Sequence, residues 1–307
     1  MLLELALTLA ALAEPKRVAI SFDDIPRHAG AFFTPDERTE TLIAEMEKAG
    51  IEQAAFFVTP GNLAKTEGGE ARIDAYVAAG HVIANHSWSH RWLSRTETAD
   101  YIADIDKAAH WLEGRAGLRP WYRYPYLDHG GRDLEKRDAV RAHLAASGLK
   151  VGYVTIDNYD WALDGLANAA EREGRDVDMT ALCDLYAETL VSASEFADDI
   201  AQRHLNRSPA HMLLLHETDI AANCIGTLAS AYRAAGWQII TADEAYADPI
   251  ASIEPDTWFL GSGRVAAIAH VGGDAPRDLV HERTDEAVLE RLFEERVMKL
   301  DSKAARP

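Results

Sequence analysis

Hydrophobic positions along the chain fall into short continuous runs that alternate with stretches repeating every three to four residues. The runs Arg17–Phe22, Gln53–Val58, His81–Asn85, Trp121–Tyr124, Lys150–Ile156, His211–Leu215 and Trp237–Thr241 read as strands. Several are apolar throughout, as expected of parallel strands covered on both faces. Between them, amphipathic patterns predict helices near Pro35–Ala49, Ala71–Ala79, Thr98–Glu113, Asp133–Ala146, Thr180–His204 and Ala221–Ala235. Three of these end in Ala49-Gly50, Ala79-Gly80 and Ala235-Gly236, with glycine where a helix terminus needs one. Seven strand-then-helix units predict a parallel α/β sheet with helices outside it. Periodicity fits an open doubly wound sheet and a barrel equally. No GxGxxG follows a strand and no GxxxxGK[ST] occurs, so the usual reasons for an open nucleotide-binding sheet are missing. From Pro249 the pattern changes to a loop-like start, a Gly-Ser-Gly run at Gly261–Gly263, an apolar run Val265–Ala269 and a charged helix from about Thr284 to Leu300. This part reads either as a flap over the barrel or as a C-terminal appendage.

The 307 residues are 48% hydrophobic and 26% charged, the profile of a folded chain that fits one large barrel. Fifty acidic against 31 basic residues give a formal charge of −19, and no Lys/Arg stripe interrupts it. Such a surface repels phosphate backbones, which excludes nucleic acid as a partner. Trp161–Ser208 holds ten acids and four bases and reads as an exposed helical insert. Cys183 and Cys224 cannot make a tetrathiolate site or a CxxC pair; they are one disulfide of an exported chain or two unrelated thiols. Leu2–Ala13 is too short to span a bilayer, and Ala11-Leu12-Ala13 before Glu14 has the form of a cleavage site. Residues 1–13 are therefore expected to be a signal peptide and the protein periplasmic or secreted; Glu4 and the missing basic start leave a first core helix as the alternative. No other segment approaches a membrane span. The expected organisation is a barrel over 14–249, with the insert at 161–208, and an extension over 250–307.

Functional groups of α/β barrels sit at the C-terminal ends of strands and in the loops that follow. Those positions here read Ser21-Phe22-Asp23-Asp24, His86-Ser87-Trp88-Ser89-His90, Arg123-Tyr124-Pro125-Tyr126, Asp157-Asn158-Tyr159-Asp160-Trp161 and Leu213-Leu214-Leu215-His216. Each piece alone is an ordinary turn, cap or interior residue. Five successive rim positions bearing carboxylate, imidazole or guanidinium are not. Two imidazoles four residues apart can face one point, and a carboxylate from another strand completes a His₂Asp set that leaves coordination positions open, as in catalytic zinc sites. Zinc suits such ligands, with cobalt or manganese as alternatives. One of the adjacent aspartates would bind the ion while the other accepts a proton from water, oriented by a guanidinium. A turn N–H beside a proline is a candidate oxyanion donor. An imidazolium paired with a carboxylate can protonate a leaving group.

The ordered set resembles the polysaccharide deacetylase family, the NodB-homology group of carbohydrate esterases. The resemblance implies a distorted (β/α) barrel of about seven strands and metal-dependent removal of acetyl groups from N- or O-acetylated oligo- or polysaccharides of the chitin, peptidoglycan or xylan type. It implies Asp23 as general base, Asp24, His86 and His90 as ligands of one divalent ion, and Ser87 as a brace of their loop. It further implies that Arg123 orients Asp23, that the Tyr126 N–H stabilises the oxyanion, and that Asp160 tunes the general acid His216. Trp161 and Leu214 would wall the acetyl pocket. Asp157 is a second candidate partner for His216 or Arg123, ranked below Asp160. Ile25-Pro26 stands where the family has Gly-Pro, Leu127-Asp128-His129-Gly130-Gly131 follows the third motif, and Glu217 replaces the usual Asp, so the cleft loops are reshaped. Trp88, Trp92 and Trp121 are candidate sugar-stacking residues, though buried core is the default for each. A catalytically silent carbohydrate-binding barrel and a deacylase of small amides are the competing readings.

Overall fold

Side chains alternate across each strand, and this period of two builds the molecule. In the computed structural model, which describes residues 15–299, the first strand β1 (Lys16–Ile25) sends Val18, Ile20 and Phe22 outward. They join a core shared with the surrounding helices. Ala19 faces the other way, into a lumen filled by Ala55, Phe57, Val82, Ala84, Trp121, Ala210 and Met212. The signal peptide expected at 1–13 lies outside the described residues.

The other strands are β2 (Ala55–Val58), β3 (Val82–Asn85), β4 (Leu118–Tyr122), β5 (Lys150–Val151), β6 (Ala210–His216) and β7 (Trp237–Ile239). All pairings are parallel, in the order β5-β4-β3-β2-β1-β6, with β7 joined to the start of β1. The expected strand Lys150–Ile156 is not continuous. It pairs with β4 at Lys150 and Val151, breaks, and rejoins the ring through a bridge from Ile156 to Leu213 of β6. That irregular segment bends the sheet round into a distorted (β/α) barrel.

The helices are α1 (Pro35–Lys48), α2 (Gly69–Ala78), α3 (Thr98–Leu112), α4 (Leu134–Ala146), α5 (Asp160–Arg172), α6 (Met179–Leu205), α7 (Asp219–Ala234), α8 (Ala242–Tyr246), α9 (Arg264–Val271) and α10 (Glu286–Arg296). Thr34 begins α1 with a capping box to Glu37, and Gly50, Gly80 and Gly236 follow α1, α2 and α7 at φ of 66°, 97° and 80°. The exposed insert expected at Trp161–Ser208 is corrected by the structure. Thirteen residues of the 27-residue α6 are buried, and Leu182, Leu185, Tyr186 and Leu190 belong to the main core. Asp184, Glu188 and Asp199 occupy the outer face of a wall helix, while Asp198 is buried against His211. Cys183 of α6 and Cys224 of α7 form a disulfide between these neighbours. The apolar run Val265–Ala269 is part of α9, which packs on α6, and α10 packs on α5 and α6. Among the described residues no helix is long and apolar enough to cross a membrane.

Candidate metal centre and cleft

Strand alternation carries the inward face beyond the last lumen side chains and into the barrel mouth. Asp23 continues Ala19 and Ser21, Arg123 continues Trp121, and His216 continues Met212 and Leu214. Asp23 lies in register with His216 across the β1–β6 pair. Asp24 would point outward on the same rule. The chain departs from strand geometry there, at φ 71°, next to an irregularity between Phe22 and Ile25. Adjacent carboxylates thereby reach one cleft from different backbone conformations. Of seven non-glycine residues at positive φ among those described, Asp24, His90, Tyr126 and Leu127 border this cleft, and Ser87 lies buried next to His86. Strained backbone of this kind persists where the surroundings hold it.

The two aspartates have different partners. Asp23 is almost fully buried and receives Nη1 of Arg123 at 2.9 and 3.1 Å. Arg123 is itself held by the Ser21 and Tyr246 hydroxyls, both at 3.1 Å, by the Gly152 carbonyl and by the face of Phe57. Asp24 turns Oδ1 toward Nε2 of His90 at 2.9 Å and Nε2 of His86 at 3.4 Å. That oxygen is buried and makes no hydrogen bond. Its other oxygen takes Nη1 of Arg27 at 2.9 Å. Burial opposes ionisation of Asp24, but His90, His86 and Arg27 outweigh it and hold the carboxyl well below its usual range.

An orphaned carboxylate oxygen facing two imidazole nitrogens, all three within 4.8 Å of one another, fits a divalent cation. The supporting contacts agree. Nδ1 of His86 lies 2.9 Å from the Arg123 carbonyl, which can only accept, so this nitrogen carries the proton and Nε2 keeps its lone pair. Ser87 does brace the loop: its hydroxyl accepts the His90 N–H at 3.0 Å. The remaining support was missed in the sequence. Asp104 of α3 accepts the N–H groups of Trp88 and Ser89, both at 2.9 Å, and the Ser89 hydroxyl. An acid on the buried face of α3, beside Tyr101, Ile105 and Ala108, was the available signal.

Across the cleft His216 is held by Asp160, which accepts the His216 backbone N–H at 2.8 Å and Nδ1 at 2.7 Å. Burial opposes the charged imidazole, but Asp160 prevails and raises the pKa to about 9. Asn158 fixes this arrangement by donating to the Leu214 carbonyl at 2.5 Å and accepting the Asp160 N–H at 3.0 Å. Asp157, the lower-ranked candidate, pairs with neither His216 nor Arg123. It lines the cleft nearby, and burial pushes its carboxyl up to about 7.

The cleft encloses about 570 Å³ and brings together Asp23, Asp24, His86, His90, Leu214 and His216, within the range of small-ligand sites. The ring of Tyr126 is half exposed and stacks on Trp92 at 3.8 Å, beside His90. Trp161 lines the opposite part with Tyr159. Trp121 is buried in the lumen and Trp88 carries Lys107 over its ring, so of the three tryptophans only Trp92 borders the cleft. Arg27, Gly261 and Glu286 also line it and were not foreseen. Gly261 and Glu286 bring the C-terminal segment to the cleft wall.

This geometry is a parallel barrel with a His₂Asp cluster that could hold a metal ion at its mouth and an arginine-paired aspartate beside it. Residues 11–151 match the model of the polysaccharide deacetylase family. Chitin deacetylase 2 of Saccharomyces cerevisiae is 33% identical over 85 residues, 27% of this chain and 25% of that protein. The matched segment thus spans a quarter of this curated relative. A CE4 esterase from Streptococcus mutans shares the fold at a TM-score of 0.50 and 17% identity, over 74% of this chain and 86% of that one. A CE4 family pseudoenzyme from Bacillus anthracis does so at 0.50 and 16%, over 76% and 66%. The fold is that of family 4 carbohydrate esterases.

Proposed function

We propose that the protein is a metal-dependent hydrolase that removes acetyl groups from an N- or O-acetylated carbohydrate. The observation that carries this reading is the division between the two aspartates: Asp23 is tied to Arg123, while Asp24 presents an orphaned oxygen to two imidazoles. Asp24, His86 and His90 would hold one divalent ion, zinc by preference and cobalt or manganese as alternatives. When bound, the ion supplies Lewis acidity toward an acetyl carbonyl and makes water acidic enough to react near neutral pH.

The remaining work belongs to the side chains. Asp23 accepts the proton of the attacking water, and the Arg123 guanidinium fixes its direction. The Tyr126 N–H, on a turn held at φ 58°, is the donor for the developing oxyanion. His216, charged through Asp160, gives its proton to the leaving nitrogen or oxygen. Trp161 and Leu214 wall the acetyl group, and the Trp92–Tyr126 stack offers a flat apolar face to a sugar ring. The Cys183–Cys224 disulfide supports export to the periplasm or exterior, where such bonds persist.

The fold alone does not separate an enzyme from a silent barrel, since one structural neighbour is a pseudoenzyme. The site favours the enzyme, because base, acid and three ligand groups are all present and converge. Acetate release from chitooligosaccharide, acetylated xylan and peptidoglycan, with and without chelator, tests the reading. We expect release from at least one that chelation abolishes, and a ~10²–10⁴-fold lower kcat for Asp23→Asn with metal content retained. Saturable sugar binding with no acetate from the metal-loaded protein would establish the silent barrel instead.

A further inference from the structure

Five arginines among the described residues are buried: Arg38, Arg72, Arg123, Arg137 and Arg264. Four have a carboxylate partner: Arg38 with Glu217 and Asp219, Arg72 with Asp36, Arg123 with Asp23, and Arg137 with Asp138 and Asp256. Arg264 has a carboxylate within 4.0 Å in none of the ion pairs among the described residues, although it is only 7% exposed. Its contacts are the Ile250 and Ala251 carbonyls, at 3.1 and 2.8 Å, and the face of Tyr153 at 4.0 Å. A guanidinium cannot lose its proton to escape burial, and a buried charge without a counter-charge is costly.

Arg264 borders a small cavity of about 30 Å³ at the seam where β5 breaks, behind Arg123. Arg141 borders it too; its guanidinium donates to the Pro255 carbonyl at 3.2 Å and likewise makes no ion pair among the described residues. Two further lining groups have a polar atom without a partner: the hydroxyl of Tyr124, which is 1% exposed, and Nδ1 of His129. Glu254 is the carboxylate on this wall, and it is exposed. Two guanidiniums against one carboxylate, with neutral donors beside them, leave one positive charge uncompensated. An outer pocket of about 380 Å³ shares Arg141, Arg264, Glu254 and Tyr153 with the inner one and gives access from the surface.

We infer that this seam is a binding site for a small monoanion, a halide or the carboxylate group of formate or acetate. The inner volume sets the size, since a cavity of roughly 10–15 Å³ already holds one water. Arg141 and Arg264 supply charge, and the Tyr124 hydroxyl donates to the anion. The inference does not depend on the deacetylase reading, because none of these residues belongs to the metal centre.

The test is a thermal titration of the full chain at constant ionic strength, exchanging sodium gluconate for chloride, formate or acetate, with a bromide-soaked crystal for anomalous scattering. We expect a saturable rise in Tm with the small anions and a bromide peak between Arg141 and Arg264. Competition between chloride and formate separates halide from carboxylate preference. Tyr124→Phe keeps the ring and should raise the half-saturating concentration about tenfold, the worth of one hydrogen bond to a charged group. Arg141→Met, at a partly exposed position, should abolish the response in a chain that still folds. An identical Tm in all four salts, or a cavity without a bromide peak, overturns the inference. So does an anion response that arises only in Glu254→Gln, since Glu254 would then be the native counter-ion.

Discussion

Replacing Asp160 by Asn removes one charge from the His216 pair while keeping the shape of its partner. Asp160 contacts His216 twice, through the backbone N–H at 2.8 Å and through Nδ1 at 2.7 Å, and it lies wholly inside the protein. Against the opposing effect of burial, it raises the imidazole from 6.5 to about 9. At about 1.4 kcal/mol per pKa unit, this rise corresponds to about 3 kcal/mol of preference for the imidazolium. At pH 8 about nine in ten His216 rings are charged in the wild type. With an ordinary value the figure is about three in a hundred, a difference of about thirtyfold in the available acid. The sign for stability follows. A histidine raised on folding contributes below its unfolded value of 6.5, and that contribution is lost as pH rises through about 9. NMR titration of the His216 ring in metal-free protein should give about 9 for wild type and a value at or below 6.5 for Asp160→Asn. In the acetate-release assay the variant should lose about thirtyfold at pH 8 and only a few-fold at pH 5.5. An unchanged ring pKa, or an equal loss at both pH values, would refute the assignment of Asp160 as the group that charges His216.

Three further outcomes are expected. Asp157 has a folded pKa of about 7 against 3.8, so wild-type stability should fall as pH rises from about 4 to 7 and then level; urea midpoints of Asp157→Asn should lack this fall. Arg38→Met leaves Glu217 and Asp219 buried without their cation and should cost about 3–5 kcal/mol in urea unfolding, whereas a loss below about 1 kcal/mol would show the network to be dispensable. Cys183 and Cys224 close a loop of 41 residues, for which the chain-entropy estimate is about 4 kcal/mol; the Cys183→Ser/Cys224→Ser double variant should lose that much, and dithiothreitol should weaken the wild type but not the variant.

The parts of the molecule that repeat with a fixed period were legible in the sequence. Strand runs such as Arg17–Phe22 and His211–Leu215 fell within one to three residues of β1 and β6 at their ends, and three helices stopped at the glycines named for them. The rim residues were legible for the same reason, since a strand end is where the inward face opens to solvent. Three other features depended on tertiary context. Lys150–Ile156 has strand composition throughout, but Lys150 and Val151 serve β4 while Ile156 serves β6, so the run divides between two neighbours. The acids of Trp161–Ser208 suggested an exposed insert because charge was counted over the whole segment; a count by face would have separated the wet side of α6 from its buried leucines. Tyr246, Gly261 and Glu286 come from beyond the sixth strand, and no spacing rule links them to Arg123 or to the cleft.

The same reasoning explains why one site needs both adjacent aspartates. Strand alternation alone would aim Asp23 at the lumen and Asp24 at the helices, leaving a single carboxylate in the mouth. The positive φ at Asp24 bends the second carboxylate back, but into a different direction, so the pair does not share one partner. Asp23 remains on the rigid sheet, where the buried Arg123 can reach it from β4's extension. Asp24 sits at the irregular end of β1, where Arg27 takes one oxygen and leaves the other free for the two imidazoles. In the proposed reaction a proton acceptor and an anionic ligand must not exchange roles, and the backbone keeps Asp23 and Asp24 apart. Arg27 is fixed in turn from below: its N–H donates to Glu217 at 3.1 Å and its carbonyl accepts from Arg38 at 3.0 Å. Glu217, which stands where the family pattern has aspartate, thus holds the backbone that carries Arg27, the residue that takes one oxygen of Asp24.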